Sequence, residues 1–169
     1  MRRLVIEGAR HPYVRLRARQ IAASYPGAHP VDALFRHVRS MPYVRDETLA
    51  KQRGLPFDTS EILQGAPYQL QQEALGGRGA VTGDCDCRVI LLHSMCEAIG
   101  YPTRFVVVRG PGRPDFSHVF GEVHVGDRWA AADTIMNGEG GRPLLELGQE
   151  IGPPVARDRT VIPLEGLVA

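Results

Sequence analysis

Cys85 stands in the run Gly83-Asp84-Cys85-Asp86-Cys87-Arg88, where a polar, glycine-rich stretch gives way to the most regular apolar pattern in the chain. A thiol placed there begins a helix. The free N–H groups and dipole of a helix start favour thiolate, the form of cysteine that attacks a carbonyl carbon, so Cys85 is the leading nucleophile candidate. A helix dipole contributes about 0.3–1 kcal/mol, less than one pKa unit. Asp84 and Asp86 oppose it with negative charge. Position alone therefore does not make the reactive species, and an imidazolium partner is required.

The elements that must bring such a partner to the thiol are legible in the spacing. From Cys85 the apolar positions Cys85, Val89, Leu92, Cys96 and Ile99 are separated by four, three, four and three residues, with Leu91, Met95 and Ala98 widening the stripe. That pattern predicts a helix central to the fold, capped by Asp84 and ended by Gly100 and Pro102. Residues 104–108 read as a buried strand, 110–114 as a turn-rich loop, and 118–125 and 128–134 as two strands joined by Gly126-Asp127. If that pair is the hairpin loop, Val125 faces Arg128 and Phe120 faces Asp133. His118 then lies two residues further along the same strand. Alternation sends His118, Phe120, Trp129, Ala131 and Asp133 to one face, and His118 and Asp133 become diagonal neighbours about 7–8 Å apart by backbone. A carboxylate can then orient an imidazole.

The N-terminal third is helical in character. Val14, Leu16, Ile21 and Ala22 recur among arginines over 11–23, ended by Pro26 and Gly27, and Val31, Leu34, Phe35 and Val38 form a second helix between Pro30 and Pro42. Residues 45–82 are polar and punctuated by glycine and proline, which predicts a long loop with one short helix over 67–75. The domain is expected to span 1–137, with its core at 31–137. The remainder, 138–169, is a Gly/Pro-rich extension read as an extended arm, whose Leu144, Leu145, Leu147 and Val161-Ile162-Pro163-Leu164 are apolar enough to dock on the domain or on an assembly partner.

The run Gly83-Asp84-Cys85-Asp86, the apolar helix, Gly100-Tyr101-Pro102-Thr103-Arg104, then His118-Val119-Phe120-Gly121-Glu122-Val123, Trp129 and Asp133-Thr134 together resemble the transglutaminase-like superfamily of papain-type cysteine enzymes. The resemblance covers 31–137 and is strongest to short bacterial and phage-type members with a Gly-Asp-Cys-Asp motif, whose upstream segment Tyr43-Val44-Arg45-Asp46 is similar to. It implies an α+β fold in which N-terminal helices and a cysteine-bearing helix pack on an antiparallel sheet that carries histidine and aspartate. Cys85 falls on the family's nucleophile, His118 on its general base and Asp133 on its orienting carboxylate. The sequence departs from the family pattern at Cys87, at Phe120 with Val119, and at Thr134; none of these removes a catalytic atom.

These residues point to acyl transfer. Cys85 attacks an amide carbonyl, His118 protonates the leaving amine, Asp133 holds the imidazole, and water or an amine resolves the thioester. One oxyanion donor is the Cys85 N–H. The second is sought among Gln64, Gln69, Gln71 and Gln72, with Gln64 favoured. Asp86, Cys87, Phe120 and Trp129 are expected to line the substrate site. Without accessory β-domains or a calcium loop, hydrolysis of a protein or peptide substrate is favoured over cross-linking; a relict assembly component of a phage-like particle is the non-enzymatic alternative.

Composition narrows the rest. The 169 residues are 43% hydrophobic, enough for one domain with its own core, and carry a net charge of +1. Arginines alternate with acids instead of forming a stripe that would track phosphates, so nucleic acid is not an expected partner. The N-terminus lacks the apolar run of a signal peptide, and no segment approaches membrane-spanning length, which predicts a cytoplasmic protein, or a virion-associated one if phage-encoded. Three cysteines suit reduced thiols. A zinc site from Cys85, Cys87, His93 and Cys96 fails on spacing, because His93 and Cys96 lie about two and three turns down the helix from Cys85. Cys96 reads as core and His93 as a boundary residue. No cofactor is called for.

Overall fold

The computed structural model describes residues 1–56, 62–109, 115–116, 118–135 and 158–164 of the chain. They form an α+β arrangement of six helices and one four-stranded antiparallel sheet among the described residues. Helices α1 (Arg2–Arg10), α2 (Pro12–Ala23) and α3 (Pro30–Arg39) begin or break at His-Pro pairs for a local reason. The prolines take the first helical position, where a missing N–H costs nothing, and the His11 and His29 rings accept the amides of Tyr13 and Val31 at 3.2 and 3.3 Å.

The stretch expected to be loop holds more structure than its composition suggested. A short helix α4 (Asp46–Gln52) precedes α5 (Ala66–Gly76), and a 3-10 turn covers Arg78–Ala80. Asp46 accepts the Ile62 amide at 2.6 Å, a tertiary tether that residue spacing cannot announce.

The cysteine helix α6 (Cys85–Ala98) starts and stops where the pattern placed it, but the single apolar stripe understates its burial. Every residue from Asp86 to Cys96 is buried, because helices cover one side and the sheet covers the other. His93, expected at a boundary, is fully buried, and Ser94 is too. Two glycines make this possible. A Cβ on Gly8 of α1 would lie 2.5 Å from Ser94 Oγ, and one on Gly121 of the sheet would lie 2.1 Å from His93 Nε2. Burial pushes His93 down to about 3, so its ring is neutral in the core, set against Phe105 with centroids 5.0 Å apart.

The sheet runs β3-β2-β1-β4, with β1 (Thr103–Arg109), β2 (His118–Val125), β3 (Arg128–Ala132) and β4 (Asp158–Pro163). Glu97, near the end of α6, accepts both the amide and the hydroxyl of Thr103, at 2.6 and 2.9 Å, and so fixes the entry into β1. The hairpin has the expected register: Val125 pairs with Arg128 and Gly121 with Ala132, around Gly126 at φ +64°. Positive φ there is what a two-residue loop demands. Val119 and Val123 pack inward with Val89 and Leu92 respectively, whereas Val106, Val108 and Phe120 form a separate apolar cluster.

Within the extension, the described residues 158–164 join the sheet. Residues 158–163 pair antiparallel with β1 as the edge strand, and Leu164 is buried beside Val5, Val89 and Phe105. Val161 and Ile162 stay exposed. The expected 110–114 turn, the domain boundary at 137 and Leu144, Leu145 and Leu147 lie outside the described residues. No helix among the described residues is long and apolar enough to cross a membrane.

Candidate active site

His118 opens β2 and Asp133 follows β3 directly, so the hairpin register delivers both side chains to one end of the sheet. His118 Nε2 and Asp133 Oδ2 are 2.7 Å apart, and Asp133 Oδ1 accepts the Ile135 amide at 2.9 Å, which holds the carboxylate at both oxygens. The His118 ring also lies close enough to Cys85 to interact with it, and nearly parallel to the Phe120 ring, at 25° with centroids 6.1 Å apart. Burial disfavours a charged imidazole here, yet the hydrogen bond to Asp133 and the interactions with Asp133 and Cys85 outweigh it and raise His118 to about 9. His118 is therefore cationic at neutral pH. Cys85, His118 and Asp133 are thus brought together in the order that nucleophilic acyl transfer requires.

The three thiols are not equivalent. Cys87 and Cys96 are fully buried, and desolvation first, then the nearby carboxylates of Asp86 and Glu97, push both well above the usual thiol range. Cys87, expected to line the substrate site, instead points inward and donates to the Ile62 carbonyl at 3.1 Å. Cys85 is partly exposed, on a cavity of about 400 Å³. Leu63, Val107, Phe116 and Val119 give that cleft apolar walls, and Asp84 and Asp86 give it carboxylates.

Asp84 holds the N-cap position without capping by its side chain; Asp86 Oδ1 accepts the Cys87 amide instead, at 2.6 Å. The remaining sequence-predicted residues separate. Phe120 supports the His118 ring from outside the cleft lining. Trp129 lies at the far end of the hairpin: it pairs with His124, six residues along β2 from His118, about 20 Å by strand rise. There it meets His124 edge-on and carries the Arg104 guanidinium 4.2 Å over its ring, so a shared sheet face did not bring it to the site. Gln64 Nε2 donates to the Thr82 carbonyl at 2.7 Å, and Gln69 Nε2 to the carbonyls of Gln64 and Cys87 at 2.8 and 2.9 Å. These amides brace the turn before Cys85.

Tyr43 stands closer to the chemistry than the sequence disclosed. It pairs with Gly83 in an isolated bridge, Val44 donates to the Gly83 carbonyl at 3.1 Å, and burial with the charges of Cys85 and Asp84 raises the phenol above its usual range. The upstream Tyr43-Val44-Arg45-Asp46 segment was the available signal. Asp84, Asp86 and Cys87 place ligand atoms within 4.8 Å of one another, while His93 and Cys96 fall outside that group. The protonated, hydrogen-bonded Cys87 is a poor donor for a metal, which binds thiolate.

Comparison with known proteins identifies the family and the fold. No curated protein matches the sequence. A solved structure from Cytophaga hutchinsonii, provisionally assigned as a cysteine protease, superposes with a TM-score of 0.50 at 15% identity, over 89% of this chain and 46% of that one. This chain spans a little under half the length of that protein, and at such identity the likeness is one of fold. Residues 16–134 match the model of the transglutaminase-like superfamily, a span that takes in the Cys85 helix, His118 and Asp133. The chain belongs to the transglutaminase-like superfamily.

Proposed function

We propose that this protein hydrolyses amide or peptide bonds through a thioester on Cys85. The observation that carries the reading is His118, hydrogen-bonded to Asp133 on one side, in electrostatic reach of Cys85 on the other, and held charged between them. An imidazolium beside a thiol favours the thiolate electrostatically. Cys85 Sγ bonds to the substrate carbonyl carbon, and the carbonyl oxygen becomes an oxyanion. The first amide of α6 has no acceptor within the helix and can donate to it. His118 gives its proton to the leaving nitrogen as the C–N bond breaks. The neutral imidazole then takes a proton from water, the resulting hydroxide attacks the thioester, and the C–S bond breaks to release acid and restore the pair. Asp133 keeps the ring in place throughout.

The apolar walls and carboxylates of the cleft suit a protein or peptide segment as substrate. Unpaired thiols suit a reducing compartment such as the cytoplasm. Transamidation uses the same thioester with an amine in place of water.

The test is to incubate the protein with activated peptide esters, quench in acid and locate the acyl group by mass spectrometry. The expected result is one acyl adduct on Cys85, absent in Cys85→Ala, with free acid as the main product when an amine is added. Turnover that survives in Cys85→Ala contradicts the proposal, and a product that is mainly amide replaces hydrolysis by cross-linking.

A further inference from the structure

Arg88 sits one turn into α6 from Cys85 and is buried, an uncommon place for a guanidinium. Its contacts account for the position. One terminal nitrogen, Nη1, donates to the Thr134 carbonyl at 3.1 Å, the other, Nη2, to the Met41 carbonyl, and the guanidinium carbon lies 5.6 Å from the centre of the Tyr43 ring. Three segments meet on this side chain. Thr134 adjoins Asp133, and Met41 leads to the Tyr43–Gly83 bridge behind the nucleophile. The helix that carries Arg88 carries Cys85.

We propose that Arg88 is a positioning residue that sets the Asp133–His118 pair at its working distance from Cys85, by clamping the chain after β3 and the 41–43 segment to the first turn of the nucleophile helix. The inference rests on the thioester reading above. The hairpin register brings His118 and Asp133 to one end of the sheet, but both lie beyond its last β2–β3 pair, Gly121 with Ala132. Something outside the sheet must hold the following turn. A guanidinium suits the task because its planar fork can donate to two carbonyls at once, which an ammonium cannot do in the same geometry. Removal of the clamp lets the 133–134 turn drift from His118. A misplacement of about 1 Å in such a site can cost about 10²-fold in rate.

The guanidinium also lies close enough to Asp133 for their charges to interact, so two roles compete and predict opposite signs. If Arg88 acts by position, its loss weakens the Asp133 support and the His118 transition moves down from about 9 toward the ordinary histidine value. If it acts by charge alone, its loss leaves Asp133 a stronger partner and the transition moves up.

The experiment is the pH dependence of Cys85 alkylation by iodoacetate in the wild type, Arg88→Met and Arg88→Lys, each checked by thermal melting. A wild type without a falling alkaline limb defeats the thioester reading itself, and the variants are then not needed to say so. With that limb present, the expected result is a limb lowered by at least half a unit in Arg88→Met, a rate at pH 6 about tenfold lower, and an intermediate limb in Arg88→Lys. A folded Arg88→Met with an unmoved or raised limb overturns the proposal. If Arg88→Met does not melt cooperatively, Arg88→Lys decides by the same criterion: lowered supports, unmoved or raised overturns.

Discussion

Replacement of His118 by alanine is expected to slow hydrolysis by about 10³-fold, within the range usual for loss of a general acid–base group. Three functions are lost together. The charge that favours thiolate at Cys85 disappears, and so do the proton that the departing amine must receive and the base that activates water at the thioester. The fold should tolerate the change, because His118 begins its strand, is partly exposed and pairs through its backbone with Val108. Steady-state hydrolysis of an activated peptide ester and a peptide amide separates the proton given to the leaving group from the other two losses. The activated ester, whose leaving group departs without a proton, should lose less than the amide. Equal losses would place the effect in the steps that both substrates share.

Gly121→Ala is expected to be the most damaging single methyl addition near the site. The new Cβ would lie 2.1 Å from His93 Nε2 and within 3.0 Å of two ring carbons. That ring is fully enclosed and packed on Phe105, so it has nowhere to retreat. Overpacking of this kind costs about 1–3 kcal/mol. In a domain of this size that corresponds to a fall in Tm of about 2–12 °C. Activity should fall further than stability, because the contact sets the spacing between the Cys85 helix and the His118 strand. Differential scanning calorimetry of Gly121→Ala, His93→Ala and the double variant checks the cause. The alanine at 93 should recover part of the loss, and strictly additive effects would show that the two residues do not press on each other.

What was legible in the sequence followed from local chemistry. The Gly126-Asp127 turn fixed the hairpin register, and register alone put His118 beside Asp133. The glycine-rich stretch before Cys85 and the Gly100-Tyr101-Pro102 stop bounded α6. What was hidden depends on contacts between distant segments. A three-four apolar spacing describes one buried face, so it could not foresee that α6 is covered on two sides, with His93 and Ser94 in the core. A face shared across a strand pair says nothing about position along it, and Trp129 lies at the wrong end. An arginine in a first helical turn reads as surface, and only the tertiary fold shows Arg88 reaching Thr134 and Met41. The edge strand β4 comes from the Gly/Pro-rich extension, which read as an extended arm able to dock on the domain, but its pairing partner β1 was not legible.

The central claim is that Cys85 works as a thiolate paired with a charged His118, and the pH dependence of its alkylation by iodoacetate tests it most directly. Cys87 and Cys96 are buried, so the reaction reports on Cys85 in the folded protein. Iodoacetate is an anion and is drawn to the imidazolium, which persists at neutral pH because the folded-state value is raised to about 9. As pH climbs through that value His118 loses its proton and the attraction with it. The account predicts a rate already high at pH 6 that falls as pH passes about 9. A rate that is low at pH 6 and climbs steadily with ordinary thiol titration near pH 8.5 would contradict it.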